Sequence, residues 1–359
     1  MTPSAFVHVS QPSRVVFGAG RLAELGREIE ALGATRVLIL CSPSQRTIAA
    51  RAADALGAGA VGIFDRATMH VPLELAREAR RQAAELSADA AVAIGGGSAI
   101  GLGKAIALEA SIPILAVPTT YAGSEMTPIY GLTEHGRKRT GRDPRVLPRT
   151  VIYDPELSRS LPLDVAITSA FNAIAHAAEG LYARDASPIA SLMAEEAIRA
   201  LGGALGELPS QPGDLALRTR LLYGAWLAGS VLGSVGMALH HRICHVLGGR
   251  LDLPHGPTHT VVLPHVLAFN AGAAPEAMAR IGRALGGGGV AGPDAATAIH
   301  DLARRTGAPL TLRELGMTEA DVDPAVEDIL ANPPWNPRPL EAEPLRQLLI
   351  RALDGAPPR

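Results

Sequence analysis

The stretch Ala90-Ala-Val-Ala-Ile94-Gly95-Gly96-Gly97-Ser98 decides the fold of the N-terminal half of the chain. A short apolar run is typical of a buried strand, and the glycines after it predict a tight turn into a helix. Glycine lets a backbone approach a phosphate closely, and the free amides of a helix N-terminus attract the anion. The stretch matches neither the dinucleotide-binding motif G-x-G-x-x-G nor the P-loop motif G-x-x-x-x-G-K-[ST]. Two interpretations stay open, a phosphate-binding loop and a turn without a ligand.

Four further apolar runs on both sides of this stretch predict a parallel sheet. They alternate with helical patterns near residues 45–57, 73–86 and 99–109, and such alternation is typical of a doubly wound α/β fold. The runs cover residues 37–40, 62–64, 114–117 and 151–153. We therefore expect an N-terminal α/β domain over residues 1–156.

The pattern changes after Asp154-Pro155, where the apolar spacing becomes helical and no strand alternation remains. We expect an all-α domain over residues 157–359. Residues 221–239 carry no charge and have about the length of a membrane span. Four glycines interrupt this run and it leads directly into two histidines, so we interpret it as a helix buried in the α domain.

Composition limits the classes of partner. The net charge is −2, with 47% hydrophobic and 19% charged residues and no long run of like charges. This argues against nucleic acid and against a membrane surface as partners. Two cysteines cannot form a disulfide framework, and the N-terminus lacks the pattern of a signal peptide. We expect a cytoplasmic protein.

Histidines are concentrated in the second half, where six of the 11 lie between residues 240 and 265. Asn172 and His176 are four residues apart, as are His241 and His245, and His255 follows in a turn. Imidazoles at this spacing build metal sites or proton-transfer sites. An amide at residue 172 brings no negative charge to a dication, so we expect a site that works without metal.

Three neighbouring residues receive weaker expectations. His240 should face away from His241 because of helical rotation, and the role of His259 stays open. Cys244 lies off the face shared by His241 and His245, which argues against a nucleophilic role.

Together, the glycine-rich loop, Asn172 to His176 and His241 to His255 resemble the iron-containing alcohol dehydrogenase family. Other members carry a metal-binding Asp at the position of Asn172, and the Asn variant resembles the maleylacetate reductase branch, which is described as working without metal. Four more stretches resemble that branch, at residues 64–72, 118–128, 136–141 and 335–339. The resemblance extends from about residue 13 to about residue 350.

The resemblance implies an architecture, an activity and a set of catalytic residues. The architecture is that of dehydroquinate synthase and iron-type alcohol dehydrogenases, with cofactor and substrate between the two domains and a homodimer as the assembly. The activity is NAD(P)H-dependent reduction of the carbon–carbon double bond of maleylacetate to 3-oxoadipate, in the breakdown of aromatic compounds. The catalytic candidates are Asn172, His176, His241, His245 and His255.

The resemblance also implies which residues bind the dinucleotide. The candidates are Gly95, Gly96, Gly97, Ser98, Lys104, Thr119, Thr120 and Ser42. Ser42 follows the first strand of the α/β unit, where NAD-restricted enzymes often place an acidic residue for the ribose hydroxyls. Without that residue the sequence does not choose between NADH and NADPH.

A basic stretch after the 114–117 strand is a candidate for substrate capture. Arg137 and Lys138 could pair with the carboxylates of a small dicarboxylate, because cations of this kind pair readily with carboxylate groups. The alternative is a solvated loop without a ligand.

Three other functions remain open on the sequence alone. A metal-dependent alcohol or polyol dehydrogenase of the same family could use three histidines as ligands. A lyase of the dehydroquinate synthase type would need an acidic metal ligand, which the pattern does not reveal. A catalytically inactive dinucleotide-binding regulator would not need the intact histidine set.

Overall fold

The computed structural model of the chain describes residues 6–10, 13–134, 137–286 and 294–359, and for residues 137 and 138 it describes the backbone alone. It divides into two compact units, Ser10–Leu161 and Pro162–Arg359, and the second also includes the described part of Met1–Val9. The sequence analysis assigned the N-terminal residues to the sheet domain instead. One contact of these residues with the helices is between His8 Nδ1 and the Ser187 hydroxyl, at 3.0 Å.

The first unit contains the expected parallel sheet. Its strands are β1 (Arg14–Phe17), β2 (Val37–Cys41), β3 (Ala60–Phe64), β4 (Ala90–Gly95), β5 (Ile114–Pro118) and β8 (Thr150–Tyr153). They lie in the order β1-β8-β5-β4-β2-β3, and every pairing is parallel. The fold class is confirmed, and β1 is the one strand of the sheet that the apolar pattern missed, because it is short and begins with an arginine.

Helices α1 (Leu25–Ala31), α2 (Arg46–Leu56), α3 (Leu73–Glu85) and α4 (Gly97–Ala110) cover the two faces of this sheet. Alternate residues of β2 enter two separate cores, with Ile39 among the residues of α1 and α2 and Leu38 among those of α3 and α4. A parallel strand buried on both faces reads as a continuous apolar run, which is why these strands were visible in the sequence.

The strand order reverses between β2 and β4. The chain runs outward from β2 to β3, returns across the sheet to β4 and continues outward to β5. In open α/β sheets ligands bind beyond the carboxyl ends of the strands at such a reversal. Cys41 pairs in register with Ile94, and Gly95 with Pro118, so three strand ends meet at this edge.

The basic stretch forms part of an antiparallel hairpin rather than a loop. Strands β6 (Ile129–Glu134) and β7 (Arg137–Arg142) pair along their whole lengths. The apolar pattern missed both strands because neither is fully buried in the described part of the hairpin.

The described residues of the second unit form helices and connecting loops, with no strand among them. Its helices are α5 (Leu163–Leu181), α6 (Pro188–Glu207), α7 (Leu215–Ser234), α8 (Leu239–Leu251), α9 (His255–Asn270), α10 (Pro275–Gly286), α11 (Ala295–Thr306), α12 (Val322–Ala331) and α13 (Ala342–Asp354). Helices α8, α9, α12 and α13 share one apolar core.

Helices α5 and α7 pack closely because of a glycine. A Cβ on Gly180 would lie 2.2 Å from Cγ1 of Val231, so any larger residue would push the two helices apart. The uncharged run 221–239 is not one helix, since α7 ends at Ser234 and α8 begins at Leu239. No single helix in the described ranges is long and apolar enough to span a membrane, and α7 with α8 meets that test only as a pair bent by 94°.

Candidate active site

One face of α5 carries a row of three buried polar side chains. Asn172, His176 and Glu179 are spaced four and three residues apart, which places them in one row along the helix. All three are buried, with exposed fractions of 4%, 3% and 0%. Buried polar groups require partners, so this row marks the part of α5 that faces a functional centre.

Glu179 supplies the carboxylate that the sequence analysis did not find. Its two oxygens accept hydrogen bonds from the amides of Ala238 and His240, at 2.8 and 2.7 Å. The N-terminus of α8 has no side-chain cap of its own. The carboxylate from α5 therefore caps α8, where the free amides and the helix dipole favour negative charge.

The same carboxylate orients His241. His241 Nδ1 lies 2.7 Å from Glu179 Oε2, and a carboxylate oxygen can only accept a hydrogen bond in that contact. The Nδ1 atom therefore carries the proton. In a neutral ring this leaves a lone pair on Nε2, which is buried without a partner among the described residues. The ring stacks on His176 with 4.8 Å between centroids.

His240 and His259 form a hydrogen-bonded pair next to the His241 ring. His240 Nε2 lies 2.8 Å from His259 Nδ1, so one of these nitrogens donates and the other accepts. The expectation that His240 faces away from His241 was wrong. Their ring centroids lie 5.2 Å apart. His240 contacts His259 on α9 while His241 contacts Glu179 on α5, so two sides of the first turn of α8 carry residues of the cluster.

Burial keeps the inner imidazoles uncharged. Desolvation, followed by the neighbouring histidines, lowers the pKa of His176, His240 and His259 well below the ordinary value. These three rings are neutral near pH 7 and can offer lone pairs. Burial likewise raises the pKa of the Cys244 thiol, so this residue is a protonated thiol rather than a nucleophilic thiolate.

His245 and His255 lie on the accessible side of the cluster. Both are exposed, and their rings are nearly parallel with 6.5 Å between centroids. His255 connects inward to His259 at 4.3 Å, and His245 to His241 at 6.2 Å. The structure thus brings together all five catalytic candidates of the second unit and adds three residues, Glu179, His240 and His259.

A signal for Glu179 was present in the sequence. It lies one helical turn beyond His176 within a run of alanines, glycine and leucine, where a lone acidic residue has no solvated neighbours. Asn172, His176 and Glu179 share the i, i+4, i+7 spacing of one helix face, and extending the search by one turn would have found it.

Several buried polar atoms in the cluster lack a hydrogen-bond partner among the described residues. They are Asn172 Oδ1, His176 Nδ1, His240 Nδ1, His241 Nε2 and His259 Nε2. Unpaired buried donors and acceptors are costly unless a ligand or a metal ion engages them. In the described ranges, His240, Cys244 and His259 also present ligand atoms that all lie within 4.8 Å of one another.

The glycine-rich loop lies at the strand-order reversal of the first unit. Gly95 ends β4 with φ of +142°, a conformation that other residues rarely adopt. Gly96 immediately precedes α4, and no side chain caps the N-terminus of this helix. The amides in the first turn of α4 therefore have no side-chain acceptor from a cap. A Cβ on Gly96 would lie 2.9 Å from the Thr120 hydroxyl, which shows how closely the two loops approach each other.

Other candidates for the dinucleotide surround this loop. The Thr119 amide donates to the Gly95 carbonyl at 3.1 Å, and the buried Thr119 hydroxyl has no described partner. Ser42 follows the end of β2, and its hydroxyl lies 3.0 Å from that of Ser44. The structure therefore gathers the glycines, Ser98, Thr119, Thr120 and Ser42 at one edge of the sheet.

Lys104 does not join them. Its ammonium is fully buried and donates to the carbonyls of Ser124, Thr127 and Ile129 at 2.6–2.8 Å. Burial lowers its pKa to about 7, against the opposing effect of Glu125. The prediction that Lys104 binds cofactor was wrong, because backbone acceptors already occupy all three of its donors.

The substrate-binding prediction for Arg137 and Lys138 stays a prediction. Their backbone lies in β7, and their side chains lie outside the described part of the structure.

Comparison with known families matches both halves of the chain. The model for iron-containing alcohol dehydrogenases matches residues 12–155, and the model for the C-terminal domain of the Fe-containing alcohol dehydrogenase family matches residues 166–353.

Individual relatives cover nearly the whole chain. A maleylacetate reductase of Burkholderia cepacia is 57% identical over 355 residues, covering 99% of both chains. One from Pseudomonas sp. (strain P51) is 52% identical over 354 residues, again covering 99% of both. The crystal structure of maleylacetate reductase from Agrobacterium tumefaciens superposes with a TM-score of 0.95 at 48% identity, covering 99% of this chain and 100% of that one.

These matches correct the expectation that the site works without metal. The matched family is iron-containing, and the cluster offers unpaired imidazole nitrogens and the group His240, Cys244 and His259. The expectation was wrong because it treated the missing charge at residue 172 as decisive. Glu179 provides a carboxylate that contacts His241 through the ring nitrogen Nδ1. A carboxylate that accepts from a ligating histidine in this way makes that histidine a more basic ligand.

Proposed function

Because the chain belongs to the iron-containing alcohol dehydrogenase family, we propose that it is a maleylacetate reductase. It is an NAD(P)H-dependent oxidoreductase that reduces the carbon–carbon double bond of maleylacetate and releases 3-oxoadipate, in the catabolism of aromatic compounds. The substrate is a small dicarboxylate. Full-length identity of 57% and 52% to two maleylacetate reductases supports the choice of substrate within the family.

The reaction is a conjugate reduction. When bound, NAD(P)H would supply a hydride, with its two electrons, to the alkene carbon β to the ketone, and would be oxidised by doing so. The π electrons of the substrate move toward the ketone oxygen and produce an enolate. Hydrogen bonds to the enolate oxygen stabilise this charge as it develops. A proton then adds to the carbon next to the ketone and completes the saturated product.

The exposed histidines supply the proton in this proposal. His245 and His255 exchange protons with solvent because their rings are accessible, whereas the inner rings are buried and neutral. A positioned imidazole that delivers a proton typically accelerates a reaction by about 10²–10⁴-fold. The inner histidines keep their lone pairs available toward the centre of the cluster.

Glu179 acts in this proposal as a positioning residue. It fixes the orientation and tautomer of His241 through the 2.7 Å contact and holds the first turn of α8 through two backbone amides. The metal that the family implies fits the buried atoms that lack a described partner, and His176, His241 and the Asn172 amide oxygen would hold it. Bound there, it would supply Lewis acidity toward a substrate oxygen.

The dinucleotide is assigned to the glycine-rich loop. Gly95, Gly96, Gly97 and Ser98 offer backbone amides at the N-terminus of α4, and Thr119, Thr120 and Ser42 lie at the same edge of the sheet. No acidic residue directly follows β2, so the 2′-phosphate of NADPH meets no like charge at residue 42. We infer that both NADH and NADPH are used, and that Arg137 and Lys138 contact the substrate carboxylates.

The histidine cluster held by Glu179 is the observation that carries this proposal. The test is coenzyme oxidation with maleylacetate and with simple aldehydes and alcohols, with identification of the product. We expect rapid oxidation with maleylacetate and a saturated 3-oxoadipate product. Turnover of aldehydes or alcohols with no reaction of maleylacetate would instead identify an alcohol dehydrogenase.

Assembly and compartment complete the proposal. We infer a homodimer, which the exposed apolar side chains of Phe6, Val7 and Val9 support. We also infer a cytoplasmic location, which the two buried, unpaired cysteines support. Light scattering coupled to size exclusion measures the assembly directly, and a monomer at micromolar concentration would contradict the dimer.

A further inference from the structure

A cavity in the helical unit is bordered by none of the residues of the histidine cluster. It has a volume of about 270 Å³ and is bordered by the C-terminal half of α9, by Arg338 and by α13. The histidine cluster uses the N-terminal half of α9, through His255 and His259. Nothing in the proposed reaction uses the cavity bordered by α9 and α13.

The cavity wall has an excess of positive charge. The guanidinium groups of Arg338, Arg351 and Arg359 border it, together with the side-chain carboxylate of Glu343. Glu343 Oε1 accepts a hydrogen bond from Gln347 at 2.7 Å. Across the described ranges, none of the three arginines has a carboxylate within ion-pair distance, whereas Arg346 on the same helix pairs with Asp323 at 2.9 Å.

Arg338 is held in place before any ligand arrives. One of its nitrogens donates to the Phe269 carbonyl at 3.1 Å, and its guanidinium lies 4.1 Å from the centre of the Phe269 ring. Two amide hydrogen bonds between Asn270 and Asn336, at 3.0 and 2.7 Å, attach the same loop to the end of α9. A cation fixed in this way loses little freedom when it binds an anion.

His265 adds an unpaired polar group to the cavity wall. Its side chain is 3% exposed, and Nδ1 has no hydrogen-bond partner among the described residues. Burial lowers its pKa to about 4, and the nearby His300 and Arg351 lower it further in the same direction. The cation-rich surroundings thus act on a buried group that can still donate or accept one hydrogen bond.

We propose that this cavity is a binding site for a small multivalent anion bearing carboxylate or phosphate groups. Arg351 and Arg338 pair with the anion through charge-assisted hydrogen bonds, and His265 contributes one further hydrogen bond. The volume accommodates an inorganic phosphate or a tricarboxylate of a few carbons. The proposal stands independently of the reaction assigned to the histidine cluster.

The test is calorimetric titration of the full chain with citrate and, separately, with inorganic phosphate. Arg351→Gln is the main variant, because no described hydrogen bond or ion pair is lost with this side chain. Arg346→Gln is the matched control, since it removes one positive charge from the same helix outside the cavity. Arg338→Lys is a second variant, which keeps the charge and loses the planar fork.

We expect saturable binding of at least one anion to the wild-type protein. R351Q should weaken it by roughly tenfold or more, the usual effect of losing a charge-assisted hydrogen bond, while R346Q leaves it nearly unchanged. Saturation by phosphate alone or by citrate alone identifies the group that is recognised. Equal weakening in R351Q and R346Q, no saturable binding at millimolar concentration, or binding lost only in a histidine-cluster variant would each overturn the proposal.

Discussion

The glycine-rich loop and the histidine cluster assemble their functional groups over different distances along the chain. The loop consists of consecutive residues 95–98, and its close neighbour Thr120 follows one helix and one strand later. The cluster combines side chains from α5, α8 and α9, and the Glu179–His241 contact spans 62 residues. The loop presents backbone amides, whereas the cluster presents side chains that other side chains must orient.

This difference predicts different sensitivities in the two regions. A backbone site fails when a new side chain occupies the space that the ligand needs. A side-chain site fails when a proton donor is removed or when the residue that orients it changes. The predictions below separate these two kinds of damage, beginning with the largest expected effect.

Replacing His245 by Ala should lower kcat by roughly 10²–10⁴-fold, because a positioned proton donor is lost. The residue is exposed, so thermal stability and the coenzyme dissociation constant should change little. Steady-state kinetics, thermal melting and coenzyme titration on the same preparation check the three quantities together.

His300→Ala is the matched control for this variant, since it removes a histidine from α11 outside the cluster. Its kcat should equal that of the wild type. A His245→Ala protein that melts early but turns over normally per folded molecule would refute the catalytic assignment.

Acid should destabilise the helical unit through its buried histidines. The pKa of His265 is about 4 in the folded chain against an ordinary value of 6.5, so the unfolded chain binds the proton first as pH falls. Stability is therefore full above pH 6.5 and decreases toward pH 4, by about 3 kcal/mol for this residue. His265→Gln should flatten this decline.

Fluorescence can follow this transition selectively, because Trp226 and Trp335, the two tryptophans of the chain, both lie in the helical unit. In the sheet unit the lowered pKa of Lys104, about 7 against 10.5, acts in a window above pH 7 instead. An unchanged acid profile in His265→Gln would show that His265 accepts a proton in the folded state.

Glu179→Gln should lower kcat by roughly 10–100-fold, the usual cost of removing the partner that orients a functional histidine. The side-chain NH2 of Gln must take the place of one of the two carboxylate oxygens, so either the His240 amide or the His241 ring and the Ala238 amide would face a donor and lose their acceptor. We expect bound metal per chain, measured by elemental analysis, to fall in parallel with kcat.

Glu195→Gln serves as the comparison, because it removes a carboxylate that pairs with Arg280 at 2.7 Å on the outer side of the unit. It should leave both kcat and metal content unchanged. If Glu179→Gln loses only thermal stability, the carboxylate is a helix cap and nothing more.

Gly96→Val should raise the KM for coenzyme by about tenfold, because its side chain would contact Thr120 and displace the diphosphate from the helix N-terminus. kcat at saturating coenzyme should change much less. Gly26→Ala is the control, since its Cβ meets only ordinary contacts. An unaltered KM in Gly96→Val would place the diphosphate elsewhere.

Much of the fold was predictable from the sequence because its signals are local. Strands β2, β4 and β5 are buried on both faces and read as apolar runs, and the glycines mark the turn into α4. The hairpin β6–β7 carries no such signal. Lys104 was misassigned because a lysine near a glycine-rich loop resembles a phosphate ligand until its three backbone acceptors are known.

The sequence by itself determined the fold class, the family, and the row of Asn172 and His176 with its partners His241, His245 and His255. Only the tertiary structure decided which groups act together. In the structure Glu179 contacts the N-terminus of α8, and His240 contacts His259. Lys104 is buried away from solvent. The physical reason is that periodicity specifies which face of a helix is buried, while the partner of a buried polar group depends on how separate helices and loops pack.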